Sequence, residues 1–77
     1  MDELYKSYYI HTLLDLSLKS DCWVPKAEVA WEERGVQRRQ QLAGPNDVFK
    51  ILDDAEIYAV EMAKGWIDGQ LRRSVTA

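Results

Sequence analysis

The chain has one cysteine, Cys22, one histidine, His11, and two prolines among 77 residues. A single thiol excludes an internal disulfide, so the fold must be held by its core, and Cys22 is expected as a reduced thiol. One histidine leaves a metal site short of the ordered ligand set that such sites need. No apolar run approaches the ~20 residues that span a bilayer. Asp2 and Glu3 stand where a secretory leader carries basic residues, so a cytoplasmic protein is expected. The net charge is −3, which disfavours broad attraction to phosphate backbones and leaves only local basic patches. Gly44-Pro45-Asn46 is turn chemistry, with no glycine-rich run leading into a helix.

What is present is apolar and aromatic. Hydrophobic residues make up 47% of the chain, with three Trp and four Tyr, enough for one small domain over residues 1–77. A chain this short hides only about 60% of its unfolded surface, so self-association is a direct way to cover more. No internal repeat appears. Residues 74–77 are expected to fray, and Met1–Lys6 is set apart as flexible. That hexapeptide resembles the closing residues of green fluorescent proteins, a similarity too short to carry a function.

The stretch Leu52–Leu71 carries helical periodicity. Asp53 and Glu56 have the spacing of a capping box, with Leu52 and Ile57 placed as a hydrophobic staple. Asp53 and Asp54 put negative charge at the positive end of the dipole. Ala55, Tyr58, Ala59, Met62, Ala63 and Trp66 recur at three- and four-residue spacing as the core face. Val60, Ile67 and Leu71 are expected on the flank. Gly69 is expected to stop the helix, with Arg72 and Arg73 beside its negative end, and Gly65 to allow close contact.

Upstream, the period is two. Tyr8, Ile10, Thr12, Leu14, Leu16 and Leu18 form the expected core-facing set of a first strand. Lys19-Ser20-Asp21 is a turn. A second strand, Trp23–Glu33, alternates Ala27, Val29 and Trp31 against Lys26, Glu28, Ala30 and Glu32, with Pro25 at its start or at a bulge. Glu33-Arg34-Gly35 fits a tight hairpin loop with Gly35 in the left-handed position. Val36–Leu42 is polar enough to be an edge strand. Gly44-Pro45-Asn46-Asp47 breaks the pattern, and Val48, Phe49, Ile51 and Leu52 are expected to plug one end of the core.

The fold expected is therefore α+β: a three-stranded antiparallel meander, the second strand central, with one long C-terminal helix packed on one face. A single helix covers only one side of a sheet. The uncovered side would carry Tyr9, His11, Leu13, Asp15, Lys26, Glu28, Ala30, Glu32 and one of Arg38 or Arg39.

Candidate chemistry is thin. His11 and Asp15 share strand parity, but no further ligand or orienting group completes a metal site or a Cys–His pair. The acidic pairs have structural duties, Asp53-Asp54 at the helix start and Glu32-Glu33 at a hairpin end. No enzyme, cofactor or metal is expected. Lys26, Arg34, Arg38 and Arg39 form the basic set available to a nucleic acid.

Three strands followed by an alanine-rich helix, with Trp in the middle strand, resembles the layout of the small sheet-reading DNA-binding domains of plant transcription factors and phage-type integrases. The resemblance spans Trp23–Ile67 and implies a sheet entering the major groove. Glu28 and Glu32 depart from it, since they would face phosphates beside Lys26.

The leading expectation is a non-enzymatic protein-interaction module, a homodimer or a subunit of a complex. Its surface would be the open sheet face (Tyr9, Leu13, Ala30) or the helix flank (Val60, Ile67, Leu71). Edge pairing through the first strand is a further route.

Overall fold

The computed structural model describes residues 2–45 and 48–75. The expected α+β class holds, with an antiparallel sheet and one C-terminal helix, but the strands are more numerous than the sequence suggests. β1 (Asp2–Tyr5), β2 (Tyr8–Thr12), β5 (Lys26–Glu33) and β6 (Val36–Ala43) form a four-stranded sheet in the order β1-β2-β5-β6. β3 (Asp15–Ser17) and β4 (Cys22–Val24) pair as a small second sheet, and α1 (Leu52–Val75) follows.

The expected first and second strands each split in two. Thr12 faces Ala27 before the break and Asp15 faces Val24 beyond it, so the register crosses without a slip. Pro25 lies at this break; its C=O faces Gly44, so its missing N–H falls on the β6 side and ends the β5–β6 ladder there. Leu13 N–H still donates to Lys26 C=O at 2.8 Å. Past the break the buried parity inverts: Ala27 and Val29 are buried in β5, but Cys22 and Val24 in β4. Leu16 and Leu18, expected in the core, are therefore exposed, Leu18 to 92%. The third strand is continuous from Val36 to Ala43 and ends alongside this break. Gly44 N–H donates to Pro25 C=O, and the chain returns to β4 where Trp23 N–H donates to Phe49 C=O at 2.6 Å. Phe49 packs on Tyr58, 5.2 Å between rings, while Val48 and Ile51 stay exposed and do not plug the core. Asn46 and Asp47 of the expected turn lie outside the described residues.

Two hairpins close with two-residue turns in which both residues have positive φ: Lys6 and Ser7 (49° and 71°), Arg34 and Gly35 (52° and 79°). This is the turn whose twist matches the flanking strands. Gly35 sits where the sequence places it. The Lys6-Ser7 turn brings Asp2–Tyr5 back onto β2, so the N-terminal stretch set apart as flexible contains an edge strand.

The helix begins at Leu52, the start of the expected stretch but ahead of the expected cap, and ends later than expected. Ala55 N–H donates to Ile51 C=O (3.2 Å), which puts the cap at Ile51 and Asp53 inside the first turn. Glu56 accepts instead from the Thr12 hydroxyl, and Ile57 is 63% exposed, so neither capping box nor staple forms. Asp53 and Asp54 still lie in the first turn, and Arg72 and Arg73 in the last. Gly69 does not stop α1, which continues to Val75, short of Thr76 and Ala77 outside the described residues.

Ala55, Ala59, Ala63 and Ile67 are fully buried along one seam of α1. Ala59, Ala63 and Ile67 pack with Ile10, Ala27 and Val29 of the sheet. Ile67 therefore belongs to the centre of the core and not to the flank, whereas Tyr58 is partly exposed. At the far end Tyr8, Trp31 and Trp66 form an aromatic row with ring centroids 5.3 and 5.4 Å apart.

A Cβ added at Gly65 or Gly69 meets open space. Gly65→Ala and Gly69→Ala should each stabilise the protein by about 0.5–1 kcal/mol in urea unfolding. At Gly44 a Cβ would sit 2.7 Å from both Pro25 and Tyr58. Gly44→Ala should cost about 1–3 kcal/mol by the same measurement.

Candidate functional site: the open sheet face

Strand alternation sends Ile10, Ala27 and Val29 under the helix and their neighbours to the opposite face, which no element of the described chain covers. Antiparallel register arranges that face in rows. One row runs Leu4, Tyr9, Ala30, Arg39 across all four strands of the larger sheet, and the next runs Asp2, His11, Glu28, Gln41. Lys26 lies beside Ala43 at one end, and Glu32 beside Gln37 at the other.

The first row is apolar over three of its four positions. Leu4 is 61% exposed and Tyr9 62%. Large apolar side chains exposed side by side are informative in a way that a single exposed leucine is not. Leu4 lies outside the sequence expectation, which sets Met1–Lys6 apart as flexible. The signal was nevertheless there, in the alternation of Asp2 and Leu4 with Glu3 and Tyr5 ahead of a two-residue turn.

The charges on this side are largely paired. His11 Nδ1 is bonded to the Asp2 carboxylate, and chiefly this contact lowers the pKa of Asp2 below the usual carboxylate range. Arg39 Nη1 lies 3.8 Å from Glu28, and Lys26 Nζ donates to Asp15 at 2.6 Å. The basic set does not converge. Arg38 faces Trp31 in register and so shares the helix side of the sheet, with its Nε 3.5 Å from Glu33. Arg34 sits in the tip of the β5–β6 turn.

The helix flank does not form an exposed apolar surface. Ile67 is buried, Leu71 packs on the rim of the core, and Val60 is half-buried. Edge pairing also moves: β2 is flanked by β1 and β5, so the free edges of the four-stranded sheet belong to β1 and the polar β6.

β1 is fastened to α1 by charge. Tyr5 OH donates to both Asp68 oxygens (3.0 and 3.1 Å) and Lys6 Nζ to one of them (2.9 Å). Lys64 Nζ pairs with Glu3 at 2.9 Å. The Tyr5 ring lies 5.2 Å from Lys6 Nζ and 5.4 Å from Lys64 Nζ. The Lys6 contact, helped by the Tyr5 hydroxyl, lowers the pKa of Asp68, and the Asp68 contact raises that of Lys6. These bonds hold Leu4 in the open row.

An open cleft of about 610 Å³ lies beside the ladder break, lined in part by Leu13, Lys26, Gln41 and Leu42; His11 does not line it. Among the described residues no three His, Cys, Asp or Glu side chains gather where a metal ion could be held. Cys22 is buried, and its thiol donates to Ser20 C=O at 3.5 Å. No helix among the described residues is long and apolar enough to cross a membrane. No protein-family model, curated protein or solved structure matches this chain.

Asp68 has a lowered pKa in the folded state, so its stabilising contribution is present above the usual carboxylate range and is lost as pH falls through the lowered value. Thermal melts across the acid range should show Asp68→Asn less stable than the wild type at neutral pH. They should also show a weaker loss of stability on acidification.

Proposed function

We propose that this chain is a non-enzymatic protein-interaction module of the cytoplasm, working with itself or within a complex through the open face of its four-stranded sheet. The observation that carries the reading is the row Leu4, Tyr9, Ala30, contiguous by register, with Leu4 and Tyr9 exposed and Ala30 half-buried beside them. Binding would come from removing this apolar area from water at roughly 25 cal/mol per Å². The Asp2–His11 and Glu28–Arg39 pairs alongside would fix orientation more than they add affinity.

The nucleic-acid reading is weaker on the same geometry. Three of its four cations lie within salt-bridge reach of carboxylates, and Arg38 is on the other side of the sheet from Lys26 and Arg39. Titration with duplex DNA and RNA at low and moderate salt decides it, because phosphate-driven binding would fall steeply with salt. Binding of that kind would favour the rival reading.

For the module itself, Leu4→Asp and Tyr9→Asp should abolish association, whether with copies of the chain or with co-purifying protein, while leaving the melting temperature within a few degrees. Association that survives both substitutions would place the working surface elsewhere.

A further inference from the structure

Resting on the open-face reading above, we propose that the occupant of this face is a second copy of the chain. The two copies stack sheet on sheet about a two-fold axis that runs parallel to the strands between β2 and β5. Such an axis exchanges the two central strands, so each β2 residue meets the β5 residue of the same row in the other copy.

The pairs this creates fit one another. Tyr9, well exposed, falls on Ala30, whose side chain is a single methyl group. His11 falls on Glu28. The imidazole Nδ1 is already held by Asp2, which leaves Nε2 to meet the carboxylate of the second copy. Further out, Leu4 lies over the aliphatic stem of Arg39, and Asp2 over the amide of Gln41. The other in-plane two-fold, perpendicular to the strands, would exchange the two rows instead. It would press Glu28 onto Ala30 and bury a carboxylate against a methyl group, which is unfavourable. Size and charge therefore select the first axis.

Stacked sheets sit about 10 Å apart and rotate by about 30° through their twist, so the matching is best near the axis, where Tyr9, His11, Glu28 and Ala30 lie. Four strands about 4.8 Å apart and some five residues long give a footprint on the order of 300–500 Å² per copy, short of the ~800 Å² of a standard interface. The dimer should accordingly form in the micromolar range or above and dissociate on dilution.

The experiment is sedimentation velocity of the full chain over a concentration series, on wild type, His11→Glu, Glu28→Arg and their equimolar mixture. His11→Glu sets two carboxylates against each other across the axis, Glu28→Arg removes the acceptor that meets His11, and each should weaken dimerisation at least tenfold. In the mixture the new carboxylate of one chain meets the new guanidinium of the other while His11 still meets Glu28, so a heterodimer should return. Circular dichroism melts establish that each variant is folded. Ala30→Gln, which crowds Tyr9 without adding charge, gives an independent route to the same loss. A wild type that stays monomeric at every concentration overturns the second copy and leaves the open face to another protein. A wild-type dimer that both charge variants retain, or that mixing fails to restore, overturns the axis. A dimer that also survives Tyr9→Asp overturns the open-face reading.

Discussion

Everything in this structure depends on how closely α1 can lie on the sheet. The seam Ala55, Ala59, Ala63, Ile67 presents three methyl groups and one larger side chain, all fully buried. Small residues let the helix axis approach the sheet until Ile10 and Val29 fill the space between alanines. A domain of this size holds a net stability of only about 4–12 kcal/mol, and the loss of one large buried aliphatic side chain costs about 2–5 kcal/mol. A single seam can thus decide whether the chain folds. Polar bonds such as Tyr5–Asp68 and Glu3–Lys64 position β1 at the margin of that contact. Exposed pairs of this kind are screened by solvent and contribute little, so they orient and do not drive.

One helix on one side also creates the asymmetry on which function is argued. The inner face is shielded by a seam and two aromatic groups, Tyr8–Trp31–Trp66 at one end and Phe49–Tyr58 at the other. The outer face is left with Leu4 and Tyr9 in water. The proline at the head of β5 contributes as well. It ends the β5–β6 ladder, and beside it the pairing of β2 with β5 passes to β3 with β4 in the same register but with inverted buried parity, so that Cys22 and Val24 are buried past the end of the larger sheet. Gly44 makes this possible because its missing side chain admits Pro25 and Tyr58.

Much of this was legible in the sequence. The alternation of Ala27, Val29 and Trp31, the Arg34-Gly35 turn, the polar edge strand and a long C-terminal helix all follow from local chemistry, and the structure contains them. What was not legible depended on partners distant in sequence. β1 is polar and short, and it becomes a strand only because β2 and α1 receive it. Glu56 has the spacing of a capping residue, yet it accepts from Thr12, 44 positions away. Periodicity alone puts Ile67 on a flank, since a row of residues four apart drifts by about 40° per step around an α-helix. Over a twisted sheet that drifting row is the line of contact. For the candidate site, Tyr9 and Ala30 were found by parity alone. Leu4 does not follow from parity without its turn, and packing divides Val60, Ile67 and Leu71, which periodicity puts on one flank.

The account's central claim is one-sided cover of the four-stranded sheet, and thiol labelling along β5 tests it most directly. Single cysteines would be placed in turn at positions 27 to 32, in protein dilute enough to be free of self-association and with Cys22 replaced by serine. Labelling should alternate with period two: fast at 28, 30 and 32, and slow at 27, 29 and 31 until the fold opens. Uniform protection of both sets, or protection at 28 and 30 with labelling at 27 and 29, would contradict it.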